Sequence, residues 1–264
     1  MLDREPDLEP GERAPQGGAK NSGQAGSAWL ETLRTIVIAV LIAVGVRTFA
    51  YEPFNIPSSS MEPTLLVGDY LFVSKLSYGY SRHSLPFGLP LFSGRVLFSE
   101  PESGDVAVFV YPRDNKTDYI KRIVGLPGDK IEVREGILHI NDVAAKREML
   151  TASEIAEIGY YNPIGRLYYE TLPNGRRHLI HERTDQGPND NFGPEMVKEG
   201  HFFAMGDNRD NSQDSRADVG QVPFENLVGR ADILFFSHDG ASPWWKFWTW
   251  PSTIRFGRIG DAIE

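Results

Sequence analysis

Three serines stand in a row at positions 58 to 60, inside the stretch FNIPSSSMEPTLLVGDYLFVSK. A serine run is ordinarily linker chemistry, but here a proline sets a turn and an apolar-rich stretch behind it reads as a strand. A hydroxyl becomes a nucleophile only when a neighbouring base takes its proton, and that base is most often histidine. The six histidines, His83, His139, His178, His181, His201 and His238, are scattered. His181 and His238 each precede an acid, yet adjacent residues of a strand point to opposite faces. Folding can still assemble a triad from distant positions. HLIHE, 178 to 182, has the composition of a metal motif but matches neither zincin order and lies in a strand-like context, so no metal is expected there.

Lysine is the other base. Deprotonating it at neutral pH against a reference pKa of about 10.4 takes roughly 4 to 5 kcal/mol of environment, which apolar burial can supply. In DYIKRIVGLPGDKI, Lys121 sits in a hydrophobic strand between Ile120 and Ile123. Read alone, a Lys-Arg pair in a strand is more often a solvated face. A third stretch, MGDNRDNSQDSR at 205 to 216, is dense in turn formers and reads as a loop held by side-chain hydrogen bonds and ion pairs. Counted from Asp210 as a calcium loop, it puts Ser215 where glycine is needed and Gln221 where glutamate is needed, which argues against that reading.

The elements that must position these residues follow from composition and period. At 264 residues with a formal charge of −9, the chain has a substantial core and no long basic surface for nucleic acid. It has no cysteine, which excludes a disulfide framework and a catalytic thiol. Residues 1 to 28 are charged, rich in proline and glycine and poor in large apolar side chains, so a disordered tail is expected. Thr35 to Val46 is uninterruptedly apolar but would rise only roughly 18 Å as a helix, against a bilayer core of about 30 Å. Trp29 to Tyr51 would rise about 34 Å, with aromatic residues at both ends, and is expected to be an uncleaved membrane anchor. A buried globular helix and a cleaved signal peptide are the competing readings.

Beyond the anchor the period becomes two. DYLFVSKL, DVAVFVYP, YIKRIVGL, DKIEVREGILHIND, HFFAMGDN and ADILFFSH read as strands, making the fold mainly β. Residues 52 to 141 and 200 to 264 are expected to form this core, with 142 to 199 inserted as a smaller β subdomain. PWWKFWTWPS, 243 to 252, holds four of the five tryptophans. Extended, it would put Trp244, Lys246, Trp248 and Trp250 on one face and Trp245, Phe247 and Thr249 on the other, which reads either as a core strand or as a second membrane contact beside the anchor and the apolar Pro/Gly loop 83 to 94.

In these three stretches the sequence resembles bacterial type I signal peptidases, membrane-anchored serine proteases of antiparallel β architecture. FNIPSSSMEPTL is similar to the family's nucleophile segment, YIKRIVGLPGDKI to its lysine segment and GDNRDNSQDSR to its third signature, in that order behind an anchor. The resemblance implies Ser60 as nucleophile, Lys121 as general base, and an oxyanion hole from the Ser58 hydroxyl and the Ser60 N–H. It further implies that Ser212 orients Lys121, that Asp214 and Arg216 form an ion pair beneath the site, and that Gly206 permits a close backbone approach. Ser59 occupies a position that is often glycine in the family. Phe54, Ile56, Tyr119 and Ile120 fall where the family lines its substrate groove, though core packing explains isolated apolar residues equally well.

The activity so implied is removal of signal peptides from exported preproteins, without metal or organic cofactor, by a domain on the periplasmic side of the bacterial inner membrane. The partners are preproteins, the lipid bilayer and the secretion translocon, and no nucleic acid. Two other readings stay open: a related Ser-Lys protease of another role, such as an organelle inner-membrane peptidase, and a non-catalytic membrane-anchored β binding domain.

Overall fold

In the computed structural model, residues 22–84, 94–160, 164–240, 246, 248 and 250–264 are described, with side chains from Trp29 onward. The expected disorder of 1–21, most of the 83–94 loop, and Trp244, Trp245, Phe247 and Thr249 of the tryptophan segment lie outside these residues. The described chain divides into two compact units, one ending at Ala43 and the other running from Val44 to Glu264.

The first element, α1 (Ser22–Phe49), begins inside the stretch expected to be an irregular tail. Once an apolar helix is nucleated, each added residue gains one backbone hydrogen bond, and nothing between 22 and 28 is a proline that would stop it. Trp29–Phe49 is long and apolar enough to cross a membrane, at about 31 Å of helical rise. None of it is buried within the protein.

The second unit is mainly β. Its elements are β1 (Tyr51–Asn55), β2 (Asp69–Ser74), β3 (Val106–Val110), β4 (Asp118–Gly125), β5 (Lys130–Arg134), β6 (Ile137–Ile140), β7 (Val143–Ala144) and β8 (Lys146–Met149). Then come α2 (Ala152–Ile158), β9 (Arg166–Thr171), β10 (Arg177–Glu182), β11 (Phe192–Met196), β12 (His201–Met205), β13 (Val222–Pro223), β14 (Leu227–Ser237) and a short α3 (Trp250–Thr253). A seven-stranded sheet runs β1-β2-β14-β3-β4-β12-β13, and two smaller sheets run β10-β9-β8 and β11-β5-β6-β7. All pairings between these strands are antiparallel.

β3 explains why the main sheet is buried on both sides. All five of its residues are apolar and buried. Val106, Val108 and Val110 pack with Leu71, Val73, Met61 and Leu65, while Ala107 and Phe109 pack with Ile123, Phe202 and Ala204. Alternation along one strand therefore feeds two cores.

Two expectations need correction. The four-stranded sheet joins β5 and β6 to β7 and β11, so the boundary expected at 142 cuts through hydrogen-bonded strands. Apolar alternation marks strands but not their partners, and the accessory β structure begins at Lys130. In addition, Trp250 opens α3, so the extended face expected for the tryptophan segment does not continue through it. Trp248 and Trp250 are exposed.

The accessory strands are tied to the main sheet by charge. Glu170 of β9, fully buried, accepts two hydrogen bonds from the buried Arg209 guanidinium, with Nη1 at 3.0 Å from Oε1. Arg147 and His178 stand 3.5 and 3.4 Å from the same carboxylate. Burial by itself raises the pKa of Glu170, but Arg209 and His178 override it and hold the carboxyl well below its ordinary value. Glu170→Ala leaves Arg209 buried without its counter-charge. The expected loss is about 3 to 5 kcal/mol, read from denaturant midpoints.

Candidate active site

Ser60 sits in the turn between β1 and β2. A single 3-10 turn, Ser59–Met61, lifts its side chain out of the extended chain, and Ser58 caps that turn without using its hydroxyl as a capping acceptor. Met61, fully buried, nails the turn to the core. Lys121 comes from β4, paired through the opposing Ala107 of β3. Its Nζ lies 2.7 Å from Ser60 Oγ and 2.9 Å from the Ile120 carbonyl oxygen. Ser58 Oγ lies 3.4 Å from Ser60 Oγ.

Lys121 is 4% exposed, and burial brings its pKa down from 10.5 to about 8, partly offset by the charges of Asp214 and Asp207. Its sequence neighbour Arg122 is not on a solvated face either. Arg122 is 1% exposed and grips Asp207 through two hydrogen bonds of 2.9 and 2.8 Å. Thr64 Oγ1 donates to the same carboxylate.

The loop after β12 forms the far wall. Gly206 has no room for a side chain: a Cβ there would lie 2.5 Å from Ser60 O and collide with Ser212. Asp214 and Arg216 pair at 2.9 Å, both buried, and Asp214 also accepts the Gly206 N–H at 3.0 Å. Burial alone would raise Asp214, but Arg216 and that N–H hold it below its usual value.

Ser212 requires a correction. It is buried in this wall, its hydroxyl within reach of the Asp214 carboxylate, whose pKa it helps to lower, and the expected bond to Lys121 is not formed. Lys121 Nζ is instead engaged by Ser60 and the Ile120 carbonyl.

A groove of about 720 Å³ opens over Ser60 and Lys121, lined among others by Phe54, Ile56, Tyr119 and Ile120. β12 pairs with β4 only from Arg122 onward, so Asp118 to Lys121 have no described strand on the groove side. An extended peptide could add itself to this short edge.

Sequence reading missed the residues that fasten the serine turn. Asn208 Nδ2 donates to Ser59 O at 2.9 Å, the Asn208 N–H donates to Ser60 O at 3.1 Å, and Asn211 Nδ2 donates to Ser59 Oγ at 2.8 Å. The signal available was the paired asparagines of DNRDN, whose amides donate as well as accept. His178 and His181, the buried histidines of the described chain, turn to Glu170 and to the Ile164 carbonyl rather than to Ser60.

A serine hydroxyl against a buried lysine, beside an open strand edge, is an arrangement that can support hydrolysis of extended peptides. Comparison with known proteins agrees in class. The family model for signal peptidase, peptidase S26, matches residues 29–236, and the chain belongs to that family of serine endopeptidases. Signal peptidase I of Rickettsia typhi is 39% identical over 248 residues, covering 85% of this chain and 90% of that protein. The Rickettsia canadensis protein of the same name is 39% identical over 252 residues, covering 86% and 90%. A solved signal peptidase I from Enterococcus faecalis covers 50% of this chain and 97% of its own at 26% identity and a TM-score of 0.29.

Gly206→Ala tests how tightly this wall is built. The added methyl forces the 206–212 loop away from Ser60 and is expected to cost about 1 to 3 kcal/mol of stability. Peptidase activity should fall far more than the folded fraction does, as measured by turnover against thermal unfolding on the same sample.

Proposed function

We propose that this protein removes signal peptides from exported preproteins, with Ser60 as nucleophile and Lys121 as general base. The 2.7 Å approach of a buried lysine to the serine hydroxyl carries this reading. With Lys121 neutral, the Ser60 O–H donates to the Nζ lone pair, and Ser60 Oγ attacks the carbonyl of the last signal-peptide residue as the proton passes to Nζ. The Ser58 hydroxyl and the Ser60 N–H stabilise the oxyanion. Lys121 then protonates the leaving amine, and water attacks the acyl ester with Lys121 again as base. The free edge at Asp118 to Lys121 supports binding of the substrate as an added strand, with Phe54, Ile56, Tyr119 and Ile120 beneath its side chains.

Trp29–Phe49 serves in this reading as the membrane anchor, with the catalytic unit on the periplasmic face of the inner membrane, where exported chains and the translocon meet it. Its length, apolar composition and unburied surface support that role.

Incubating the purified full chain in detergent with a preprotein is the deciding assay. Ser60→Ala and Lys121→Ala should each remove nearly all cleavage, and the double variant should be hardly worse, because the two act as one unit. The Lys121 pKa is lowered, so its neutral form gains population as pH rises. Cleavage should therefore climb about tenfold per pH unit below roughly 8 and level off above it. A folded Lys121→Ala protein that still cleaves would assign the base to another group, and an intact preprotein with the unmodified chain would favour a binding module.

Ser58→Ala separates oxyanion stabilisation from binding. Loss of one donor is expected to lower kcat on the order of a hundredfold with KM little changed. A rise in KM alone would remove Ser58 from the oxyanion hole.

A further inference from the structure

Glu182 closes β10, Asp190 sits in the loop before β11, and Asp210 lies in the 3-10 turn Arg209–Asn211. One carboxylate oxygen from each lies within 4.8 Å of those of the other two. Asp190 is fully buried and Glu182 is 2% exposed.

Each acid is partly satisfied by groups that leave one oxygen over. Glu182 Oε2 takes Arg147 Nη2, Asp190 Oδ2 takes the Gly187 N–H, and Asp210 Oδ2 takes the N–H groups of Arg183 and Thr184. Glu182 Oε1 and Asp190 Oδ1 are buried with no hydrogen-bond partner. Buried carboxylate oxygens normally have donors, because the desolvation of an unpaired one is costly.

The charge balance points the same way. Glu170, Glu182 and Asp185 are joined to Arg147, Arg166 and Arg209 in one continuous ion-pair network. Asp190 and Asp210 have no basic side chain at salt-bridge distance among the described residues. Asp190 and Asp210 are thus left without a counter-charge beside the orphaned oxygens, and burial, with these two acids next to it, pushes the Glu182 carboxyl up to about 8.

We propose that Glu182, Asp190 and Asp210 form a binding site for a hard divalent cation of the calcium class. The donors are all oxygen, which suits calcium and not a metal that prefers thiolate or imidazole. Oxygens bound to one calcium ion stand roughly 3.4 Å apart at right angles and 4.8 Å apart across it, so three oxygens all within 4.8 Å of one another can reach a single ion. A double positive charge cancels the excess of Asp190 and Asp210. Neither sequence motif gives this site: Glu182 belongs to HLIHE and Asp210 to the rejected calcium loop, and the fold combines one acid from each with Asp190. Asp210 shares its turn with Asn211, whose amide holds Ser59, so a bound cation fastens the turn on which the serine loop rests.

The test uses the full chain in detergent, stripped with chelator and titrated with CaCl2 or MgCl2 while thermal unfolding and Tb3+ luminescence are followed. Calcium at about a hundred times its Kd should raise Tm by roughly 5 to 10 °C, and magnesium should do less. Asp190→Asn and Glu182→Gln should each weaken cation binding at least about tenfold. Asp185→Asn, which removes a nearby acid outside the trio, should leave it unchanged. No shift and no Tb3+ signal in the unmodified chain up to about 10 mM overturns the proposal. So does a calcium response that survives both Asp190→Asn and Glu182→Gln, or one that Asp185→Asn abolishes equally. Should Glu182→Gln fail to fold, Asp190→Asn and the unmodified chain decide the matter.

Discussion

Keeping water from a lysine is the constraint on which this site depends. Hydration stabilises an ammonium strongly enough that buried lysines are ordinarily paired with an acid. Lys121 is buried against a hydroxyl and a carbonyl instead. The two acids whose fields reach it, Asp214 and Asp207, would hold the proton on if they stood uncompensated. Each is instead gripped by an arginine, Arg216 and Arg122, inside the protein. Desolvation therefore outweighs attraction, and the lysine titrates within reach of neutral pH. The two ion pairs act at a distance from Lys121 by neutralising the groups that would otherwise hold its proton on.

The strands were legible because their apolar alternation is strong, most plainly in β3 and β4, where every second side chain enters a different core. The partners were not legible. Nothing in VAAKREM or FGPEM says that β7 joins β6 and β11 joins β5, because register is set by tertiary contacts rather than by the period of either segment. The serine and the lysine could be singled out by type and by motif, but their 2.7 Å approach depends on β2, β14 and β3 lying between β1 and β4 in the sheet. The Ser212 hydroxyl shows the limit of motif reading, since a matched position does not fix the direction of a rotatable O–H. The asparagines of the 206–212 loop were hidden for a related reason: they act on the backbone of a segment about 150 residues earlier.

That loop connects two parts of the chain that sequence reading kept apart. Its Asn208 and Asn211 hold the serine turn, its Arg209 reaches Glu170 on β9, and its Asp210 accepts the N–H groups that follow β10. The accessory strands are thus part of what positions Ser60. Arg209 and Glu170 hold their places through a buried ion pair, so a small shift on one side is transmitted rather than absorbed.

The half-paired edge of β4 has a consequence for solubility as well as for binding. An unpaired strand edge accepts any extended chain, including another copy of the same protein, and long flat edges lead to aggregation. This one is short, running from Asp118 to Lys121, and begins with an exposed acid. The outer strand β1, at the margin of the same sheet, carries Pro53, which has no N–H to offer a neighbour. An edge of four residues is too short to nucleate a growing sheet. The length of β4 left uncovered by β12 therefore limits how far any second chain can pair along it, and with it the tendency of the protein to polymerise through this edge.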